Sequence, residues 1–178
     1  MNVPNALSLF RLCLVPVYLL VFFSELKYAH LIAIGIFLLA GITDIVDGYI
    51  ARKYNQITML GRILDPLADK FMVWAALISL SVSRVIPWFV SIIYFIKEVT
   101  MGIGGAVVYR KLRDMPPSNI WGKASTVLFY VAIILSITFD LTGLPVALLF
   151  GAALLSMVIA LAQYVKRGLD IVKENTPQ

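Results

Sequence analysis

Six long apolar stretches follow one another along this chain of 178 residues and limit what it can fold into. Each is close to the length of about 20 residues with which an α-helix crosses the hydrocarbon core of a bilayer. Hydrophobic residues make up 61% of the chain and the mean hydropathy is +0.92, which excludes an ordinary soluble domain. We predict an all-α integral membrane protein of one domain over residues 1–178, a bundle of about six transmembrane helices with a short amphipathic N-terminal segment. The predicted spans are 7–23, 29–51, 60–82, 86–109, 121–140 and 145–165.

Basic residues lie mainly at one set of span ends. The predicted connections on one side contain Lys27 and Arg84, whereas the other side has the larger basic set: Arg52, Lys53, Arg110, Lys111, Arg113, Lys123, Lys166, Arg167 and Lys173. The positive-inside rule places this larger set and both termini in the cytoplasm. The net charge of +5 suits anionic lipid headgroups and phosphorylated substrates. Nucleic acid is not an expected partner, because these cations do not share one soluble face.

The cysteine content and the N-terminal stretch indicate which kinds of site are excluded and in which membrane the protein is expected. A single cysteine, Cys13, excludes an internal disulfide and a cysteine-based metal site. The N-terminal stretch has no transit-peptide character, so we expect a multi-pass protein of the bacterial inner membrane.

Four aspartates interrupt the second and third apolar stretches. One ionised carboxylate in the middle of a membrane helix costs about 2.5–3.5 kcal/mol on insertion scales, so the four need a function that offsets this. Asp44 and Asp47 are three residues apart and Asp65 and Asp69 are four apart, which puts each pair on one helical face. Carboxylate pairs on two facing helices provide the oxygen ligands that Mg²⁺, Mn²⁺ or Ca²⁺ prefers. A charge network between spans is less favoured, because few basic residues lie near the four acids.

The residues around these aspartates suit a phosphate ligand. Gly48 and Gly61 lack side chains, so a ligand or a neighbouring backbone can approach closely. Arg52 can donate two hydrogen bonds to one phosphate group. Two cations held by facing carboxylates, with the usual separation of about 3.5–4 Å, would neutralise a pyrophosphate. The pattern predicts a membrane enzyme of phosphoryl-transfer chemistry, with its site at the cytoplasmic ends of the second and third spans.

The order Asp44, Asp47-Gly48, Ala51-Arg52, Gly61, Asp65 and Asp69 resembles the signature of the CDP-alcohol phosphotransferase family. That resemblance implies cleavage of the pyrophosphate of a CDP-linked alcohol, release of CMP and transfer of the phosphoryl group to a second alcohol. It implies that Asp44, Asp47, Asp65 and Asp69 bind two Mg²⁺ or Mn²⁺ ions, and that Asp69 is also the general base. The nucleotide-binding positions that it implies are Asn5, Gly48, Ala51, Arg52, Thr58 and Gly61. Homodimers are the expectation for the family.

Three segments, 3–11, 64–70 and 121–126, resemble the branch of the family that uses glycerol 3-phosphate as acceptor and CDP-diacylglycerol as donor. The resemblance implies phosphatidylglycerophosphate as the product. The candidates for binding the acceptor phosphate are Lys123, Arg110, Lys111 and Arg113, of which Lys123 is favoured. The basic connector that contains Arg110 to Arg113 is also explained as a positive-inside anchor.

Other activities than transfer to glycerol 3-phosphate are also open. That branch usually has Arg-Glu in the fourth span, where this chain has Lys97-Glu98. Cardiolipin synthases, which use phosphatidylglycerol, share the N-terminal opening and the run at 64–70, so the resemblance gives them as a second hypothesis, beside a family member with a different acceptor. A divalent-cation transporter is a third, which Arg52 beside the carboxylates disfavours.

Four polar residues outside the signature each have two possible roles. Arg11 and Asn5 either line the nucleotide pocket or anchor and cap the first helix. Lys97 and Glu98 either steady the fourth span or contact a substrate. His30 is expected at the opposite membrane face, as an interfacial residue rather than a catalytic one.

Overall fold

The structure is a computed structural model that describes residues 3–54, 61–112 and 120–174, with side chains described for 5–50, 53–54, 67–103, 122–163 and 165–166. The described chain forms six α-helices: α1 Val3–Phe22, α2 Ala29–Lys53, α3 Gly61–Val82, α4 Trp88–Leu112, α5 Ile120–Thr138 and α6 Leu144–Glu174. No strand occurs in these ranges. The all-α prediction is confirmed.

Each predicted span coincides with one helix, and two helix ends differ from the prediction. Helix α1 continues without a break from Val3 through Pro16 to Phe22. Residues 3–6, which precede the predicted first span, are therefore part of α1, and the amphipathic N-terminal segment stays a prediction. Helix α6 extends to Glu174, beyond the predicted end at 165, because the charged residues after the apolar stretch continue the helix.

Three helices in the described part of the chain are long and apolar enough to cross a membrane. These segments are Asn5–Phe22, Ala29–Ile50 and Leu144–Gln163. A fourth apolar helical segment, Gly122–Thr138, is shorter. Helices α3 and α4 contain internal charged residues, Asp69 with Lys70 and Lys97 with Glu98, which lower their hydropathy. The helices fit a membrane protein.

The chain divides into two compact units, which we describe separately. The first contains Met1–Val85 and Ile134–Leu141. In this unit α1 packs against both α2 and α3. Tyr18 of α1 lies against Phe37 of α2, with ring centroids 6.4 Å apart, and both side chains are buried. Close packing of this kind holds helices together in lipid, where burial of apolar surface provides little driving force.

The helix ends of the first unit include two tight caps. After α3, the Val85 N–H donates to the Leu80 carbonyl and Arg84 has φ of 58°. After α5, the Leu141 N–H donates to the Ser136 carbonyl and Asp140 has φ of 46°. Both are Schellman caps with a left-handed residue at the position where glycine is usual.

His30 lies at this end of the first unit. Its Nδ1 is 3.3 Å from Asp140 Oδ1, and its ring stacks on Phe22 with centroids 5.0 Å apart. It is about four helical turns from Asp44 along α2. His30 is thus distant from the carboxylates of α2, as predicted.

The second unit contains Ile86–Ile133 and Thr142–Gln178. Here α4 contacts α6. The centre of the unit is aromatic: Phe129 of α5 lies against Tyr94 of α4 at 4.7 Å and against Phe150 of α6 at 6.1 Å, measured between ring centroids. Small and flexible side chains, Ala153, Met157 and Ala160 of α6, complete the buried surface.

Candidate active site

One face of α1 determines where Arg11 lies. The buried residues of this helix are Ser8, Arg11, Leu14, Tyr18 and Phe22. Their spacing of three or four residues puts them on a single stripe. Since this stripe packs against α2 and α3, the Arg11 side chain is directed into the first unit and is 1% exposed.

A matching stripe on α2 brings two of the predicted metal ligands to the same interface. Ala33, Phe37 and Ala40 are buried, and the stripe continues with the same spacing through Asp44 to Asp47. Alanine at two of these positions allows close approach of the neighbouring helix. The sequence therefore places both carboxylates where α1 crosses α2.

Arg11 contacts both of these carboxylates. Its Nη1 donates to Asp44 Oδ1 at 2.5 Å, and its Nη2 donates to Asp47 Oδ2. The Asp47 side chain is 3% exposed, whereas that of Asp44 is 43% exposed. The guanidinium therefore bridges one buried carboxylate and one accessible carboxylate. The three formal charges sum to −1.

The third helix contains the second predicted carboxylate pair. Asp65 and Asp69 are both on α3, near its start at Gly61. Asp69 is partly buried and has interactions within the protein. The Asp65 side chain is outside the described residues. Among the described side chains, no group of three or more acidic, histidine or cysteine residues is close enough to hold a metal. The four-carboxylate arrangement stays a prediction.

Other predicted nucleotide-binding residues are distributed over α1, α2 and α3. Asn5 is on the first turns of α1 and has an interaction within the protein, and Gly48 of α2 is partly buried. Ala51 and Arg52 are near the end of α2, and their side chains are outside the described set. Gly61 begins α3, and Thr58 lies outside the described residues.

The predicted acceptor residues are in the second unit. Lys123 is exposed on the first turn of α5. Arg110 and Lys111 are in the last turn of α4, and their side chains are outside the described set, as is the whole of Arg113. Their role in binding an acceptor stays a prediction.

A buried ion pair lies on α4. Lys97 Nζ is 2.5 Å from Glu98 Oε1, and the two side chains are 6% and 10% exposed. Lys97 also lies over the Tyr94 ring, 5.7 Å from its centroid. This contact supports the first of the two sequence-based readings, in which the pair steadies the fourth span.

The carboxylates of α2 have the chemistry that a divalent cation needs. Their oxygens are hard ligands, which Mg²⁺ and Mn²⁺ prefer over nitrogen or sulfur. Asp44 is accessible enough to exchange a ligand, and Asp47 is one turn away on the same stripe. The residues present fit a divalent cation.

The sequence offered Arg11 as a residue of the nucleotide pocket or an anchor of the first helix, but did not indicate that it contacts Asp44 and Asp47. Its partners are 33 and 36 positions away in the sequence, so local spacing does not indicate the pairing. The signal that was available is its place on an otherwise apolar stripe with Leu14, Tyr18 and Phe22. A charged residue on a buried membrane face needs a partner of opposite charge.

The fold and the site together define a class: an all-helical membrane protein with acidic residues at a helix interface and a basic residue among them. The model of the CDP-alcohol phosphatidyltransferase family matches residues 1–164. The chain belongs to this family.

Relatives in several bacteria are similar over most of their length. A Mycobacterium tuberculosis protein named "Probable phosphatidylglycerophosphate synthase" is 36% identical over 94% of this chain and 82% of its own. Two proteins named "CDP-diacylglycerol--glycerol-3-phosphate 3-phosphatidyltransferase" match 97% of this chain. The Aquifex aeolicus protein is 34% identical over 98% of its length. The Bacillus subtilis protein is 30% identical over 97% of its length.

Proposed function

We propose that this chain transfers a phosphatidyl group from CDP-diacylglycerol to a hydroxyl of glycerol 3-phosphate. The products are phosphatidylglycerophosphate and CMP, so the enzyme serves phospholipid biosynthesis. The observation that carries the proposal is membership of the family over residues 1–164, with relatives of that named activity matched over 94–97% of this chain.

The metal ligands in this proposal are Asp44, Asp47, Asp65 and Asp69. The family generally uses a divalent metal, and we propose two Mg²⁺ or Mn²⁺ ions here. Such ions neutralise the pyrophosphate and stabilise the negative charge that develops on the leaving CMP. Asp44 and Asp47 support this assignment, since their carboxylates lie one turn apart on the same stripe of α2 and Asp44 is accessible.

The residues of the chain bind the substrates and accept one proton. Asp69 accepts the proton of the acceptor hydroxyl, and the hydroxyl oxygen forms a bond to the phosphorus of the phosphatidyl group. The bond from that phosphorus to the bridging oxygen breaks, and its electron pair leaves with CMP. A carboxylate base needs only to be positioned at the hydroxyl for this role. The nucleotide is held by Asn5, Gly48, Ala51, Arg52, Thr58 and Gly61.

The acceptor differs from a simple alcohol in its phosphate group. We assign this phosphate to Lys123, with Arg110, Lys111 and Arg113 in support, because exposed basic residues bind phosphate through charge-assisted hydrogen bonds. Lys123 is exposed on α5, where an ammonium group is accessible to a soluble acceptor.

We propose six transmembrane helices in the bacterial inner membrane, with the site at the cytoplasmic face. The larger basic set supports this orientation. A homodimer is also proposed, on the basis of the family.

An acceptor panel tests the proposed function. Purified protein in detergent is given CDP-diacylglycerol and Mg²⁺ or Mn²⁺, and CMP release is measured with each acceptor in turn. The panel contains glycerol 3-phosphate, phosphatidylglycerol, serine, inositol and inositol phosphate. We expect release with glycerol 3-phosphate only, and none with EDTA. Release with phosphatidylglycerol instead would indicate a cardiolipin synthase, and no release with any acceptor would contradict the proposal.

A further inference from the structure

Arg11 contacts the carboxylates that we assign to the divalent cations. We propose that Arg11 is a displaceable occupant of this pair: it neutralises Asp44 and Asp47 while no cation is bound, and it leaves them when a cation binds. This inference rests on the proposed metal role of these two aspartates, and it goes further by assigning Arg11 a function in metal binding.

Arg11 gives both carboxylates a positively charged partner. One terminal nitrogen contacts each carboxylate, Nη1 on Asp44 Oδ1 and Nη2 on Asp47 Oδ2. The guanidinium thus supplies positive charge to the two carboxylates that would hold a divalent cation. The pairing gives the buried Asp47 and the more accessible Asp44 a shared partner of opposite charge.

Electrostatic repulsion makes the two occupants exclude each other. A guanidinium stays charged under all ordinary conditions, so it cannot yield to a cation by losing its proton. Two like charges on the same carboxylates repel strongly in the low-dielectric interior of a helix bundle. A cation that binds Asp44 and Asp47 must therefore displace Arg11 or bind against its charge.

The hydrogen bonding of Arg11 is incomplete, which lowers the cost of displacing it. The buried Nε has no hydrogen-bond partner among the described residues. A guanidinium has five N–H donors in a fixed fork, and a fully satisfied one would be harder to move. Asp44, at 43% exposed, offers the side from which a cation can enter.

The alternative role is a fixed support. In that role Arg11 stays on the outer oxygens of the carboxylates and orients them for the metal, as outer partners of metal ligands often do. The two roles predict opposite changes in metal affinity when Arg11 is removed. Removal of a competing guanidinium strengthens metal binding, whereas removal of a supporting one weakens it.

Mn²⁺ titration of the purified full chain in detergent distinguishes these roles, with free Mn²⁺ measured by electron paramagnetic resonance. We expect Arg11→Gln to bind Mn²⁺ at least about tenfold more tightly than the wild type, since one nearby positive charge is removed. Arg11→Lys keeps the charge but loses the bridging fork, and we expect an intermediate affinity. Arg84→Gln, in the exposed turn after α3, is the matched control for loss of one positive charge and should bind like the wild type. Unchanged or weaker Mn²⁺ binding by Arg11→Gln would overturn the proposal.

Thermal unfolding gives a second measurement and shows whether the variant is folded. We expect the unfolding midpoint of Arg11→Gln to fall in EDTA and to recover on addition of Mn²⁺, by a larger shift than in the wild type. If Arg11→Gln does not fold, Arg11→Lys decides: tighter Mn²⁺ binding than the wild type supports displacement, and equal or weaker binding overturns it.

The double variant Asp44→Asn with Asp47→Asn separates this proposal from the one on which it rests. Mn²⁺ binding that is the same in this variant and in the wild type would show that the ion binds elsewhere. The metal role of the two aspartates would then be wrong, and the role of Arg11 with it. Lost binding in the double variant, together with unchanged binding in Arg11→Gln, would overturn only the role of Arg11.

Discussion

Arg11 of α1 donates a hydrogen bond to Asp47 of α2, and the two side chains are 1% and 3% exposed. Asp44 accepts a second hydrogen bond from the same guanidinium but is 43% exposed. The two carboxylates thus share one partner but differ in burial. This difference has a consequence for stability that can be measured.

Replacement of Asp47 is expected to destabilise the metal-free protein more than replacement of Asp44. Asp47→Asn breaks a pair in which both side chains are buried, a change of about 3 kcal/mol in the free energy of unfolding. Asp44→Asn removes an accessible partner, for which about 1 kcal/mol is typical. Chemical unfolding in detergent with EDTA measures both, and equal losses would contradict the asymmetry of the site.

Asp69→Asn separates catalysis from binding. If Asp69 accepts the proton of the acceptor hydroxyl, this variant loses about 10²–10⁴-fold in kcat, the usual contribution of a general base. Binding of CDP-diacylglycerol should change much less, because the shape of the site is kept. Asp140→Asn, an exposed aspartate beside His30, is the matched control and should retain wild-type turnover. Full turnover in Asp69→Asn would exclude Asp69 as the base.

Lys123→Ala tests the assignment of the acceptor phosphate. We expect the KM for glycerol 3-phosphate to rise about tenfold or more, as loss of one charge-assisted hydrogen bond predicts. The KM for CDP-diacylglycerol should stay near the wild-type value. Lys27→Ala, in the turn between α1 and α2, serves as the control. An equal rise of both KM values would assign Lys123 to the nucleotide or to folding.

Lys97 and Glu98 provide a test of a buried pair in the second unit. Lys97→Met or Glu98→Gln alone breaks this buried ion pair and is expected to cost about 3–5 kcal/mol in the free energy of unfolding. The double variant removes both charges and should be more stable than either single variant. A double-mutant cycle by chemical unfolding measures the coupling. Additive losses would contradict the pairing, and lost turnover in a stable double variant would favour a substrate role.

The six helices could be predicted because each contains a long apolar stretch in the sequence. The helix ends could not always be predicted from hydropathy. Helix α6 runs to Glu174, although its last residues are charged, since a helix can leave the bilayer and continue in water. Helix α1 includes the residues from Val3 onwards, which precede the predicted first span, because hydropathy does not mark where a helix begins.

Of the site, the shared face of Asp44 and Asp47 could be predicted from the sequence, whereas their contact with Arg11 could not. The faces of Asp44 and Asp47 follow from helical spacing alone. The partner of these residues does not, because Arg11 meets them only through the packing of α1 on α2, over sequence distances of 33 and 36 positions. Spacing within one helix shows which residues share a face, but not which face of another helix lies opposite.

Analysis of the lipid product tests the central claim most directly. Purified protein is incubated with CDP-diacylglycerol, Mg²⁺ and isotope-labelled glycerol 3-phosphate, and the lipids are identified by mass spectrometry while CMP is quantified. We predict labelled phosphatidylglycerophosphate and CMP in equal amounts, and neither product from the variant Asp44→Asn with Asp47→Asn. CMP without a labelled phospholipid, or equal product from that variant, would contradict phosphatidyl transfer to glycerol 3-phosphate at this site.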